Sequence, residues 1–383
     1  MNRRGPAPRL RLLHLHSSFD PGGKEMRAVQ LMNGFGPELA HSIVSAVPDA
    51  LGAARAIDPA VPVDYPAFPS LTGKPFPRRL QQLAQAMVGY DLVLTYNWGA
   101  MDAVLAHTAF AEVMQLPPLV HHEDGFNQDE ASRLKWRRNV YRRVALFRAQ
   151  KLVVPSQRLE HIARTAWKQP AAMVRRIPNG IPVFAYGRKP KPDVLPRLIK
   201  HEGELWLGTL AGLRPVKNLP RLVRAFAPLP DHWQLVILGD GPERDAIRAE
   251  AVRLGIGHRV HLPGHVARPA EVMGLFDLFA LSSDSEQFPI SAVEAMASGL
   301  AIAAPRVGDI EAMVAGENRQ FLTPPGDEVA LSQVLAALAE DAGLRASVGA
   351  ANRARAEQEY DEARMISAYR NLYAGALGRT SFP

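Results

Sequence analysis

Cysteine is absent from all 383 residues. That excludes disulfides, thiolate metal sites and a cysteine nucleophile, and it fits a reducing compartment. Long apolar runs are missing as well, so no stretch approaches the roughly 20 residues needed to span a bilayer. The start, Met1–Arg11, is basic, but Leu10-Arg11-Leu12-Leu13-His14 holds no unbroken apolar core of signal length. No Arg/Lys tract interleaves with stacking aromatics, which sets nucleic acid aside as a partner. Gly239-Asp240-Gly241 lacks a third glycine at dinucleotide spacing and reads as a turn. The expectation is a soluble, cytoplasmic chain, attached at most to the surface of a membrane.

What is present is ample core material. At 383 residues, 47% of them hydrophobic, the chain exceeds one comfortable core, and two domains are expected. A formal net charge of +7 implies an acidic partner, a nucleotide or an anionic membrane. Leu10–His16 reads as a buried strand that ends in Ser17-Ser18-Phe19-Asp20-Pro21-Gly22-Gly23, with helical spacing over Lys24–Phe35. Strand-like runs follow at Ser42–Val47, Asp91–Tyr96, Leu119–His121 and Lys151–Pro155. After a Pro-rich stretch, a second series runs Leu205–Leu210, Trp233–Leu238, Arg259–Leu262, Leu275–Leu281, Leu300–Ala304 and Gln320–Leu322. Strands alternating with helices predict two doubly wound α/β domains. The expected boundaries are 1–180, a linker at 181–203, a second domain at 204–360 and a final helix at 361–383.

The most informative run is Ser282-Ser283-Asp284-Ser285-Glu286-Gln287-Phe288-Pro289-Ile290-Ser291-Ala292-Val293-Glu294-Ala295-Met296-Ala297-Ser298-Gly299. It reads as a polar loop, a short helix with Pro289 in its first turn, and Gly299 just past its end. The N–H groups of Ile290 and Ser291 are then free donors at a helix N-terminus, suited to a phosphate. Glu286 and Glu294 bracket that cradle, about 12 Å apart at most along a helix. A sugar, a diphosphate and a ribose in series fit such a span.

This run, with the following LAIAAPRVGDIEAMV, resembles the signature of the family-4 retaining glycosyltransferases of the GT-B fold. The resemblance implies two Rossmann-like domains facing across a cleft, with the last helix crossing back to the first. By the same resemblance Glu286 holds the transferred sugar and Glu294 the donor ribose. Gln287 departs from the usual glycine and narrows the expected sugar pocket. Arg214 and Lys217 match the family's pair of cations for the donor diphosphate. Their chemical logic is sound, because the leaving group gains charge as the glycosidic bond breaks. The resemblance also implies that Phe288, Ile290 and Ser291 belong to the donor site and that Val266, on the loop Pro263-Gly264-His265-Val266, meets the nucleobase.

In the first half, Gly22 and Gly23 match a glycine loop that lets backbone approach the donor phosphate or acceptor; a plain tight turn is the alternative. Glu25 meets an acceptor hydroxyl or simply favours the helix N-terminus. Within His121-His122-Glu123-Asp124-Gly125 the family's sugar-contacting histidine is taken as His121, with His122 and Asp124 as alternatives. His258, His261 and His265 lack the spacing of a metal site, and no metal or other cofactor is expected. The basic stretch Arg133–Arg148 is either a solvated helix face or an anchor on anionic lipid with Trp136 at the interface.

The activity implied is retaining, metal-independent transfer of a hexose-type sugar from a UDP- or GDP-sugar to a lipid-linked or saccharide acceptor, in polysaccharide or glycolipid synthesis. A nucleotide-sugar epimerase and a silent sugar-nucleotide scaffold are the alternatives.

Overall fold

The computed structural model describes residues 9–126, 130 and 134–383. Most of the basic start, and Arg133 at the head of the basic stretch, lie outside the described residues. The chain divides into two compact units, Met1–Pro178 with Met365–Pro383, and Asn179–Arg364.

The first unit runs β1 (Leu10–His16), α1 (Gly23–Phe35), β2 (Leu39–Ser45), β3 (Val63–Asp64), α2 (Pro77–Gln85), β4 (Leu92–Tyr96) and α3 (Met101–Phe110). It continues through β5 (Leu119–His122), α4 (Trp136–Ala145), β6 (Lys151–Val154), α5 (Gln157–Thr165) and β7 (Val174–Arg176). All neighbours pair in parallel, in the order β3-β2-β1-β4-β5-β6-β7. Successive residues of a strand point to opposite faces. Leu12, Leu94 and Val120 therefore enter one core, and Leu13, Val93 and Leu119 the other. A parallel sheet covered on both faces needs such continuous apolar strands.

The second unit repeats the plan with β8 (Leu205–Leu210), α6 (Leu219–Phe226), β9 (Trp233–Leu238), α7 (Arg244–Arg253), β10 (Val260–Gly264) and β11 (Leu278–Ala280). After these come α8 (Ile290–Ala297), β12 (Ile302–Pro305), α9 (Ile310–Met313), β13 (Leu322–Thr323), α10 (Glu328–Glu340) and α11 (Ala342–Glu359). Its sheet order is β10-β9-β8-β11-β12-β13. Trp206 and Trp233 are fully buried on opposite faces. From Met365 onward the last helix, α12 (Glu362–Ala376), belongs to the first unit, where Met365, Tyr369 and Tyr373 join the core that contains Phe35.

Two differences from the sequence reading have simple causes. The short edge strands β3 and β7 have no apolar run to announce them, because an edge strand buries little. Residues 181–203, expected as a linker, belong to the second unit: Ile181, Val183, Tyr186 and Leu195 are buried in its core. Their prolines hide a packed segment. No helix among the described residues is long and apolar enough to cross a membrane.

Candidate active site

In each sheet the strand order reverses between two neighbours, β1 and β4 in one unit, β8 and β11 in the other. The crevice outside the carboxyl ends at such a switch point is where doubly wound folds bind ligands. In the second unit the loops leaving β8 and β11 carry the candidate residues.

The β8 loop is held rigidly. The Leu213 N–H donates to the Asp240 carbonyl at 2.9 Å, and the Glu243 N–H donates to the Leu213 carbonyl at 3.0 Å. Gly239, at φ +133°, makes this possible: a Cβ there would lie 1.9 Å from the Ala211 carbonyl oxygen. The glycine turn after β9 thus braces the loop that presents Arg214 and Lys217. Arg214 is exposed and enters no ion pair among the described residues. Lys217 ends a 3-10 turn, Pro215–Lys217, and Asn218 reverses the chain in the left-handed region at φ 44°.

Lys217 and Glu286 meet across the switch point. The Lys217 Nζ lies 2.5 Å from Glu286 Oε1, with the two side chains 15% and 9% exposed. Ser283 Oγ donates to the same Oε1 at 2.7 Å, which leaves Oε2 without a partner among the described residues. The Ser282 hydroxyl donates to the Lys217 carbonyl at 2.9 Å, and the Asp284 N–H to the Val216 carbonyl at 2.9 Å, so the two loops are laced together. Gly308, at φ +60°, lies under them; a Cβ would come within 2.5 Å of the Glu286 carbonyl oxygen.

α8 begins at Ile290, with Pro289 as its N-cap rather than in its first turn. Its ψ of 104° is extended, and the first turn closes from the Ala292 N–H to the Pro289 carbonyl at 3.0 Å. The N–H groups of Ile290 and Ser291 therefore precede the helical ladder. At the other end the Gly299 N–H reaches the Met296 carbonyl and the Leu300 N–H the Ala295 carbonyl, at 2.9 and 3.0 Å. That is a Schellman closure, with Gly299 at φ 74°.

Glu294, one turn into α8, is 8% exposed and accepts a hydrogen bond from the Tyr186 hydroxyl at 2.9 Å. Burial pushes its carboxyl up to about 7, although the tyrosine bond pulls the other way. Phe288 stacks edge-on with Tyr360 at 5.7 Å between centroids, and Val266 lies partly buried against the same core. Gln287 presents a buried Oε1 with no partner among the described residues. Among the described residues no group of three or more His, Asp or Glu side chains could hold a metal ion. His261 Nε2 instead lies 3.0 Å from Gln234 Oε1.

In the first unit Gly22 is the N-cap of α1, with extended backbone at φ −161°. A Cβ there would lie 2.7 Å from Glu25 Oε2, the far end of a flexible side chain, so a larger residue would only displace that carboxylate. Gly23 opens the helix. Glu25 is buried and ion-paired with Lys24, whose ammonium is lowered to about 8 by burial, against the pull of Asp124. His121 is fully buried: its Nδ1 lies 2.8 Å from Thr95 Oγ1, and its Nε2 lies 3.8 Å from Glu123 Oε2. His122, on the opposite face, is also fully buried, with its Nε2 3.0 Å from the Tyr373 hydroxyl. Asp124 forms a forked ion pair with Arg27 and keeps 13% of its side chain exposed, the most accessible of the three alternatives.

Two family models match in tandem. The model described as Glycosyltransferase Family 4 matches residues 21–183, and that described as Glycosyl transferases group 1 matches residues 193–355. The chain belongs to the family-4 glycosyltransferases. The family's GT-B fold is shared with the Anabaena protein HepE crystallised with UDP, at TM-score 0.78 and 23% identity over 96% of this chain and all of that one. It is also shared with WaaG, a glycosyltransferase involved in lipopolysaccharide biosynthesis, at TM-score 0.67, 17% identity and 96% and 100% coverage.

Among relatives in sequence, N-acetyl-alpha-D-glucosaminyl L-malate synthase of Bacillus anthracis is 29% identical over 178 residues, 46% of this chain and 47% of that protein. D-inositol 3-phosphate glycosyltransferase of Xylanimonas cellulosilytica is 33% identical over 165 residues, 41% and 39% of the two chains. The chain thus spans less than half the length of these relatives. Its sequence reading missed Tyr186, which lies in the Pro-rich stretch taken as a linker, and Ser283, a serine in a polar loop. Neither carries a periodic signal.

Proposed function

We propose that this protein is a retaining, metal-independent glycosyltransferase that moves a hexose-type sugar from a nucleoside-diphosphate sugar to a hydroxyl of a lipid-linked or saccharide acceptor. The observation that carries this reading is the Lys217–Glu286 pair fixed by Ser283 at the β8/β11 switch point. UDP-hexose is the donor class to test first, since the similar HepE has been crystallised with UDP and UDP-glucose; GDP-sugars follow.

The diphosphate lies against Arg214, Lys217 and the N–H groups of Ile290 and Ser291. The sugar hydroxyls bond Glu286, and the ribose hydroxyls bond Glu294. The bond between the anomeric carbon and the phosphate oxygen breaks as the acceptor oxygen adds on the same face. The acceptor proton passes to the departing phosphate, so the nucleoside diphosphate leaves protonated and no protein nucleophile is used. Fixed cations and N–H donors stabilise the charge that grows on the leaving group. That role is the one a divalent metal would otherwise fill. The acceptor's place in polysaccharide or glycolipid synthesis puts the enzyme peripherally on the inner face of the cytoplasmic membrane.

The test is turnover of radiolabelled UDP- and GDP-hexoses with and without EDTA, and proton NMR of the product's anomeric centre. Transfer with retained configuration, unaffected by EDTA and abolished by Glu286→Gln, is expected. Inverted product, or full turnover by that variant, would overturn the mechanism. A donor converted to its epimer without any acceptor would make the protein an epimerase.

A further inference from the structure

The helix α4 carries features that the transfer reaction does not use. Its inner side is buried: Arg142 is 1% exposed, bonded to Glu123 and Glu130 and enclosed by the rings of Trp98, Phe126 and Trp167. Its outer side holds large apolar groups in water. Trp136 is 69% exposed, Val140 51%, Val144 53% and, in the turn that continues the helix, Phe147 77%. Spacings of four, four and three residues put all four on one stripe. Arg137, Arg143 and Arg148 flank it, all exposed. No Asp or Glu occurs between Leu134 and Gln150. On the inner side Glu123, Glu130 and Asp102 bond Arg142, Arg138 and Tyr141; at the stripe's end Glu112 pairs with Arg148, next to Val113, itself 84% exposed.

We infer that this stripe docks the protein on an anionic bilayer, with Trp136, Val140, Val144 and Phe147 entering the headgroup boundary and the arginines meeting lipid phosphates. A surface helix kept for solubility alternates charges and buries its large apolar groups. Here the apolar stripe runs between cations, the pattern of an interfacial helix. The match of charge decides the occupant: a purely apolar protein partner would leave Arg137 and Arg143 without counter-charge, whereas an anionic membrane supplies it along both sides. Each such cation is expected to strengthen partitioning about fivefold. The inference deepens the membrane part of the reading above, and its test contains no sugar nucleotide, so the two fail separately.

The experiment takes the whole 383-residue chain with vesicles of phosphatidylcholine alone or with about 30% phosphatidylglycerol, which gives the surface a negative potential. Trp136 is the most exposed of the tryptophans; Trp167, Trp206 and Trp233 are fully buried and Trp98 is partly so. A blue shift of tryptophan emission and quenching by brominated lipid, seen with anionic vesicles and absent in Trp136→Phe, are therefore expected. Sedimentation with those vesicles should fall at least tenfold in the double variant Arg137→Glu/Arg143→Glu and in Trp136→Ser/Phe147→Ser, while all variants keep the parent melting temperature. Equal binding to neutral vesicles, no binding to either, or stronger capture by heparin than by the vesicles would overturn the inference.

Discussion

Glu294 should make the stability of the protein depend on pH in a direction that can be worked out in advance. Its carboxyl is raised by burial to about 7 in the folded protein, against an ordinary 4.5. Between those values the unfolded chain has lost its proton and the folded chain keeps it. Stability is thus fully present below about pH 4.5, falls as pH rises, and levels off above about pH 7. At about 1.4 kcal/mol per unit the loss from this one group is about 3 kcal/mol. Glu294→Gln keeps the shape and an acceptor for the Tyr186 hydroxyl but cannot ionise. Relative to the parent, the variant should gain several degrees in Tm between pH 5 and pH 8, at about 2–4 °C per kcal/mol for a unit of this size. Tyr186 and, near it, Glu362 are the other titratable groups at this contact. Calorimetry of both proteins, free of nucleotide, at four pH values is the assay. A Tm difference that stays constant from pH 5 to 8 would refute the claim that Glu294 is buried as an acid.

Lys217→Met should lower donor turnover on the order of 10²–10³-fold, because it removes a fixed cation from the leaving group; initial rates at saturating donor measure it. Gly239→Ala must move either the Ala211 carbonyl, 1.9 Å from the new Cβ, or a backbone held at φ +133°. A loss of about 2 kcal/mol or more is expected, read by urea unfolding, with a higher KM for donor since the Arg214 loop shifts with it. Arg142→Met leaves Glu123 buried without its arginine, while Glu130 keeps only Arg138 among the described residues. Such broken pairs cost about 3–5 kcal/mol, and the variant should melt well below the parent.

The sequence disclosed the architecture because parallel strands buried on both faces are apolar throughout. The bounds of β1, β8 and β9 could be read directly, and each polar loop that followed marked a carboxyl end. Gly299 was legible for a local reason, a helix stop followed by a strand. Pro289 was misplaced by one position, since the N-cap and the first turn both accept proline. Arg142 looked like one more solvated arginine in a basic run. Only the fold brings Trp98, Phe126 and Trp167, distant in sequence, around it. His121 followed an apolar strand and was chosen for that reason, yet the same strand carries it into the interior. Contacts between segments far apart in the chain, Tyr186 on Glu294 or Lys217 on Glu286, leave no mark on local pattern.

The central claim is that a nucleoside diphosphate sits against the β8 and β11 loops of the second unit. Thermal stabilisation by UDP, GDP and ADP, each with and without an attached hexose, tests it most directly, in the parent and in Arg214→Ala. Arg214 is exposed and unpaired in ion pairs among the described residues, so its loss should leave the fold intact. One nucleotide class at a hundred times its dissociation constant should add about 2.7 kcal/mol, and the same concentration should add clearly less in the variant. No stabilisation by any nucleotide, or an equal gain in the variant, would contradict the assignment of the site.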